Sequence, residues 1–144
     1  VSWAAGAGVE IDVRVFPEGT KTASDAAAAI GCDVAAIVKS LVFVVDGEAV
    51  VALVPGDLRL DTTKLAAVAG GGRAGRASLE EVREATGYAA GGTPPFGHDC
   101  RVFADPTIAR NDPVWAAAGT PTTVFPISID DLGRLSGATW ASIT

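Results

Sequence analysis

Two β-branched runs on either side of an Asp-Gly pair constrain this chain more than any other feature. Ile37-Val38-Lys39-Ser40-Leu41-Val42-Phe43-Val44-Val45 is followed by Asp46-Gly47, then by Glu48-Ala49-Val50-Val51-Ala52-Leu53-Val54. Asp-Gly tolerates the positive φ angles of a tight hairpin turn, so the two runs are expected to fold back on each other as antiparallel strands. Apolar side chains occupy both parities, which predicts that both faces are covered and that the hairpin is central in its sheet. Lys39 breaks the pattern. It shares the parity of Leu41, Phe43 and Val45, so its stem begins against the core, where an ammonium must find an anion, a carbonyl or the neutral state. Two interpretations stay open: a functional lysine, or a stem lying along apolar surface with its charge in water at the strand entrance.

The rest of the chain reads as short elements around that hairpin. Positions 9–16 alternate Val9, Ile11, Val13 and Val15 against Glu10, Asp12 and Arg14, the period of an outer, half-buried strand. Thr22 or Ser24 is expected to cap a helix over 25–30 that Gly31 ends. Pro55-Gly56 stops the second hairpin strand, and Asp61 or Thr62 caps a helix through Ala69 that runs into Gly70-Gly71-Gly72. Ser78 and Glu81 form a capping box for a helix ending at Gly87. Strands are expected at 101–104, 114–118 and 122–127. A last helix, capped by Ser128 with Asp131 and stopped by Gly137, precedes a strand-like stretch at 138–143. Strands and helices mix without strict βαβ alternation. One α+β domain over 1–144, with its core at about 9–143, is therefore expected, its mixed, curved, barrel-like sheet flanked by short helices.

Composition narrows the function classes. The 144 residues are 49% hydrophobic, enough for one sizeable core. No run approaches the ~18 apolar residues of a membrane span, so no membrane partner is expected. The N-terminus lacks the basic and apolar segments of a signal peptide, and because it opens on Val1, a segment upstream is expected to be missing from this sequence. Cys32 and Cys100 are the only cysteines and form no CxxC pair, which suits a reducing cytoplasm. With His98 as the only histidine, the ligand count argues against a metal site, and no cofactor is expected. A net charge of −6 predicts weak nonspecific attraction to nucleic acid and no DNA partner, though a domain touching few phosphates stays compatible with it.

Positions 87–99 are too rich in Gly and Pro for a mere connector: they suggest either backbone groups facing a ligand or a structured turn beside the core. His98 and Cys100, two apart, can share one side of an extended segment, but no motif around Cys100 supports thiol catalysis. Gly70-Gly71-Gly72-Arg73-Ala74-Gly75 is neither a P-loop nor GxGxxG; it reads as a helix stop, with Arg73 and Arg76 either facing phosphates or, the plainer reading, on a solvated basic turn.

Thr22-x-x-Asp25-Ala26-Ala27, Ile37-Val38-Lys39-Ser40-Leu41-Val42-Phe43, Pro55-Gly56-Asp57-x-x-Leu60-Asp61, Gly87-Tyr88-x-x-Gly91-Gly92-x-x-Pro95-x-Gly97-His98 and Asp130-Asp131-Leu132 occur in the order that resembles the YbaK/ProX family. These are free-standing relatives of the editing insertion of prolyl-tRNA synthetase, and the likeness covers roughly positions 10–143. It implies a cofactor-free, metal-free cytoplasmic hydrolase that frees a small amino acid (Ala, Cys, Ser or Thr) from the 3′ end of a mischarged tRNA, tRNA-Pro above all. Prolyl-tRNA synthetase or another translation factor is the implied protein partner. By the same match Lys39 and Gly91 are the implied catalytic positions, Lys39 anchoring the terminal nucleotide or carbonyl region and Gly91 offering main-chain groups to the aminoacyl moiety or the water. Phe16, Thr22, Ser40, Gly92, Pro95, Gly97, His98 and Gly119 are the implied substrate contacts. Ser40 stands where some members carry Asn or Thr, and Val124 and Ala117 where some carry polar residues, departures that weigh against cysteine-specific editing. The alternative is a noncatalytic module binding an aminoacyl-nucleotide-like ligand or a synthetase.

Overall fold

The computed structural model describes residues 14–15, 23–88, 93–95, 98, 100–119 and 123–144. In chain order the elements are β1 (Arg14–Val15), α1 (Ala23–Ile30), β2 (Val38–Val45), β3 (Glu48–Pro55), α2 (Thr62–Val68), β4 (Ala74–Arg76), α3 (Leu79–Thr86), β5 (Arg101–Ala104), β6 (Val114–Ala117), β7 (Thr123–Ile127), α4 (Ile129–Ser136) and β8 (Thr139–Trp140). Single 3-10 turns occupy Val34–Ala36 and Pro106–Arg110.

The hairpin forms as its sequence predicts. β2 pairs antiparallel with β3 from Val45↔Glu48 to Val38↔Pro55. Asp46 and Gly47 take φ angles of 49° and 84°, the left-handed pair that matches a two-residue turn to strand twist. The hairpin lies inside a mixed five-stranded sheet of order β4-β2-β3-β5-β8, in which β5 and β8 run parallel to their neighbours. A second, antiparallel sheet has the order β1-β7-β6, so the described part of the first alternating segment is an edge strand, as expected. Among the described residues these sheets do not close into the expected barrel; one parallel bridge, Ile37↔Trp115, joins them.

Strand parity sorts the hairpin's side chains into two cores. Val38, Val42, Val51 and Leu53 face the three-stranded sheet, α3 and α4, meeting Val82, Ala116, Phe125 and Leu132. Phe43, Val45, Val50, Ala52 and Val54 face the other way, against Leu65 of α2 and Ile143. Residues 50–54 are wholly buried. That is why both parities of β3 are apolar: each buried branched side chain contributes roughly 1.5–3 kcal/mol, and along 50–54 both faces are covered.

Helix ends follow the expected side chains in three cases. Asp61 accepts from the Thr63 and Lys64 amides, Ser78 and Glu81 complete a capping box, and Ser128 accepts from the Asp131 amide. Three expectations are corrected. Ser24 is no cap, because α1 already starts at Ala23; the alternative, Thr22, lies outside the described residues. The basic turn after the glycines is in part a strand, since pairing of 74–76 with Phe43–Val45 decides their conformation where their own propensities do not. The strand-like tail is a strand only at Thr139–Trp140. Among the described residues, no helix is long and apolar enough to cross a membrane.

Asp105 ties the tail to the sheet. Its carboxylate is 1% exposed and accepts from the Thr107 amide and hydroxyl, the Ile143 amide at 2.9 Å and the Thr144 hydroxyl at 3.1 Å. Burial alone would raise its pKa; the hydrogen bonds outweigh it and hold the carboxyl below its ordinary value. Asp105→Asn, which turns an amide group toward these donors, is expected to cost roughly 2–3 kcal/mol in urea unfolding at pH 7. The depressed folded-state pKa means that Asp105 contributes fully above the ordinary aspartate value of about 4, and that this contribution is lost as pH falls through the lower folded value. The gap between wild type and Asp105→Asn should therefore narrow in acid.

Candidate functional site

β4 pairs only with the turn end of β2, at Phe43–Val45, and Ala77 N–H adds one hydrogen bond to Val42 O; among the described residues the next strand pairing along that edge is the Ile37↔Trp115 bridge. Between them, beside Val38–Val42, a cleft of about 710 Å³ opens between the two sheets. Because it wraps the edge of β2, residues of both parities line it, Lys39 and Leu41 as well as Ser40 and Val42. Its inner wall is apolar and short-chained, with Val82, Ala116 and Val124 facing Val42. Arg59, Leu60, Arg76, Leu79 and Trp115 also line it, as do the hydroxyl residues Ser24 and Thr93.

Lys39 resolves its two sequence interpretations toward a held side chain. Half-buried, it donates from Nζ to the Leu58 carbonyl oxygen at 2.8 Å, so its ammonium is fixed at the cleft instead of ranging through water. Burial chiefly lowers its pKa, with repulsion from Arg59 next, opposed by Asp57. The acceptor loop is itself braced. Gly56 N–H donates to Ile37 O at 2.8 Å, Leu58 N–H to Pro55 O at 3.1 Å and Asp61 N–H to Ile143 O at 2.7 Å. Arg110 forks onto both oxygens of Asp57 at 2.7 and 3.1 Å, and that guanidinium holds the Asp57 carboxyl below its ordinary pKa.

Lys39, Arg59 and Arg76 thus give three cationic residues to one cleft of a chain whose net charge is −6. Arg59 was not legible as a site residue. It falls on an unspecified position of the Pro55-Gly56-Asp57-x-x-Leu60 stretch, and a lone exposed arginine carries no sequence signal. Arg76 reaches the cleft because β4 places it opposite Phe43.

Of the other expected site residues, Ser40 joins Lys39 on the cleft. Pro95, buried, half-buried His98 and half-buried Gly119 are not among its described lining residues. Gly119 has φ 108°, and a Cβ there would meet the Tyr88 ring at 3.4 Å, which accounts for the glycine without a ligand. Phe16, Thr22, Gly91, Gly92 and Gly97 lie outside the described residues. Cys100 packs on the larger core and donates to Ala85 O at 3.5 Å, a structural placement.

Fold and cleft define a small α+β domain with a cationic, apolar-walled cavity at the edge of a hairpin. The chain belongs to the YbaK-type aminoacyl-tRNA editing domain family, whose model matches residues 17–135. It is 34% identical over 130 residues to the uncharacterized protein YwhH of Bacillus subtilis, covering 88% of this chain and 82% of that one. It is 41% identical over 93 residues to the proline–tRNA ligase of Maridesulfovibrio salexigens, covering 64% of this chain but only 16% of the ligase. Among solved structures, a candidate trans-editing enzyme for prolyl tRNA synthetase superimposes with a TM-score of 0.87 at 42% identity, over 93% of this chain and 86% of that one.

The environment of Lys39 can be measured directly. After reductive methylation with ¹³C-formaldehyde, the Lys39 signal is expected to titrate below the ordinary lysine value of about 10.4, and Arg59→Gln to move its midpoint upward by removing a repelling charge. A midpoint at the ordinary value, unmoved by Arg59→Gln, would show the amine to be free in solvent.

Proposed function

We propose that this chain is a trans-acting deacylase that hydrolyses the ester of a small amino acid wrongly attached to tRNA-Pro, correcting the product of prolyl-tRNA synthetase. The observation that carries this is the held ammonium of Lys39 beside Arg59 and Arg76 on an apolar-walled cleft. Three cations suit the phosphates and hydroxyls of one terminal nucleotide, and the short-chained wall suits a small acyl group. An acidic surface elsewhere keeps affinity for the body of a tRNA low, so recognition falls on its 3′ end. Membership of the editing family and the likeness to a candidate trans-editing enzyme support the same reaction.

In this reaction a water oxygen attacks the ester carbonyl carbon, the carbon–ribose oxygen bond breaks, the ribose oxygen takes a proton, and the amino acid leaves as its carboxylate. Lys39 spends one N–H on Leu58 O and keeps two donors for the substrate, so it serves as a cationic anchor. Held in place before substrate arrives, it loses little entropy on binding. Main-chain groups of the 91–92 region are the proposed partners of the carbonyl or the water, and no cofactor is required. The rigid walls reject larger side chains by shape.

Purified protein is expected to deacylate at least one of alanyl-, cysteinyl-, seryl- and threonyl-tRNA-Pro, and Lys39→Ala to lose about 100-fold in rate while keeping its melting temperature. Four intact esters with folded wild-type protein, or an undiminished rate in Lys39→Ala, would contradict the proposal.

A further inference from the structure

Among the described residues lining the cleft, Ser40 is the one whose buried side-chain oxygen has no hydrogen-bond partner. Its neighbours make this harder to relieve. Ser40 shares strand parity with Val38 and Val42, which pack in the apolar core behind the cleft with Val82 and Ala116, and neither of the other hydroxyl residues described on the cleft, Ser24 and Thr93, bonds its oxygen. Its main chain stands at the same open edge. Val42 O accepts from Ala77 N–H across that edge, and the alternation of an antiparallel ladder turns the Ser40 N–H and C=O the same way, where no strand among the described residues pairs with them. A buried hydroxyl left without a partner costs free energy, and a wall that keeps one is suited to a ligand that satisfies it.

We propose that Ser40 Oγ is a specificity-determining contact that hydrogen-bonds a hydroxyl on the side chain of the aminoacyl group, so that the site prefers a seryl over an alanyl ester. This rests on the deacylase function proposed above and adds the substrate that the function leaves open. A hydroxyl both donates and accepts, so it pairs with another hydroxyl without bringing a charge against the apolar wall. An alanyl group fits the same space but leaves Ser40 Oγ orphaned. The apolar wall alone cannot make the distinction, because such walls discriminate weakly between a methyl and a hydroxymethyl group, whereas a site built to bond a hydroxyl rejects the analogue without it.

The test compares initial rates on seryl- and alanyl-tRNA-Pro, which share every contact except the side-chain hydroxyl. Wild type is expected to favour the seryl ester about tenfold in kcat/KM, and Ser40→Ala to bring the ratio near one chiefly by slowing the seryl reaction. Ser40→Ala removes an unpaired buried hydroxyl, so its melting temperature should not fall, and the wild-type ratio stands as a test without it. Equal wild-type rates would overturn the inference, as would a Ser40→Ala variant that slows both esters alike; the latter would assign Ser40 to the ester or the α-amine, which both substrates carry. In either case the deacylase function survives. If wild type cleaves neither of these esters, the inference falls, and the cysteinyl and threonyl esters decide whether the deacylase function falls with it.

Discussion

The antiparallel pairing of β2 with β3 is the contact on which the remaining structure depends. It extends over the full length of both strands, and its two faces carry the two larger cores, so α2 and the tail attach to one side and the second sheet to the other. It also leaves β2 paired on one edge only where β4 has ended, and that gap is where the cleft forms. Stability and site are thus linked through one strand. The residues that bury β2 also set the position of Lys39 and Ser40.

Electrostatics supply the second constraint. A chain of net charge −6 that gathers Lys39, Arg59 and Arg76 around one cavity concentrates attraction for anions in one place. Their mutual repulsion is tolerated because the loop bearing Arg59 is tied by the Asp57–Arg110 fork, and because Leu58 O accepts from Lys39. The Lys39 contact is therefore made with a carbonyl, whose partial charge holds the ammonium without neutralising it. That leaves its positive charge available to a ligand.

Much of this was legible from the chain alone, for reasons that differ by residue. The hairpin followed from β-branched runs and Asp46-Gly47, and the capping box from Ser78 and Glu81, because these signals act within a few residues. Lys39 stood out because a charge interrupted an apolar parity. What stayed hidden depends on distant pairing. Residues 74–76 become a strand only against Phe43–Val45, and Arg76 reaches the cleft only through that strand. Leu58 contributes a carbonyl, which no side chain announces. Ser40 was a candidate by resemblance, but its unpartnered oxygen is a property of its packing. Whether the strands close into a barrel was not legible for a similar reason: curvature of one sheet and the meeting of two leave the same alternation in sequence, and among the described residues the two sheets stay separate but for one bridge.

In the proposed function the β2-edge cleft receives the aminoacylated end of a tRNA. A ¹⁵N-NMR titration with a nonhydrolysable 3′-amide analogue of seryl-adenosine tests it most directly. Shifts are expected to concentrate at the amides of Lys39, Ser40, Arg59, Arg76 and Ala116, with β8 at the opposite edge of the sheet undisturbed. Shifts centred on β8, or none at saturating analogue, would contradict it.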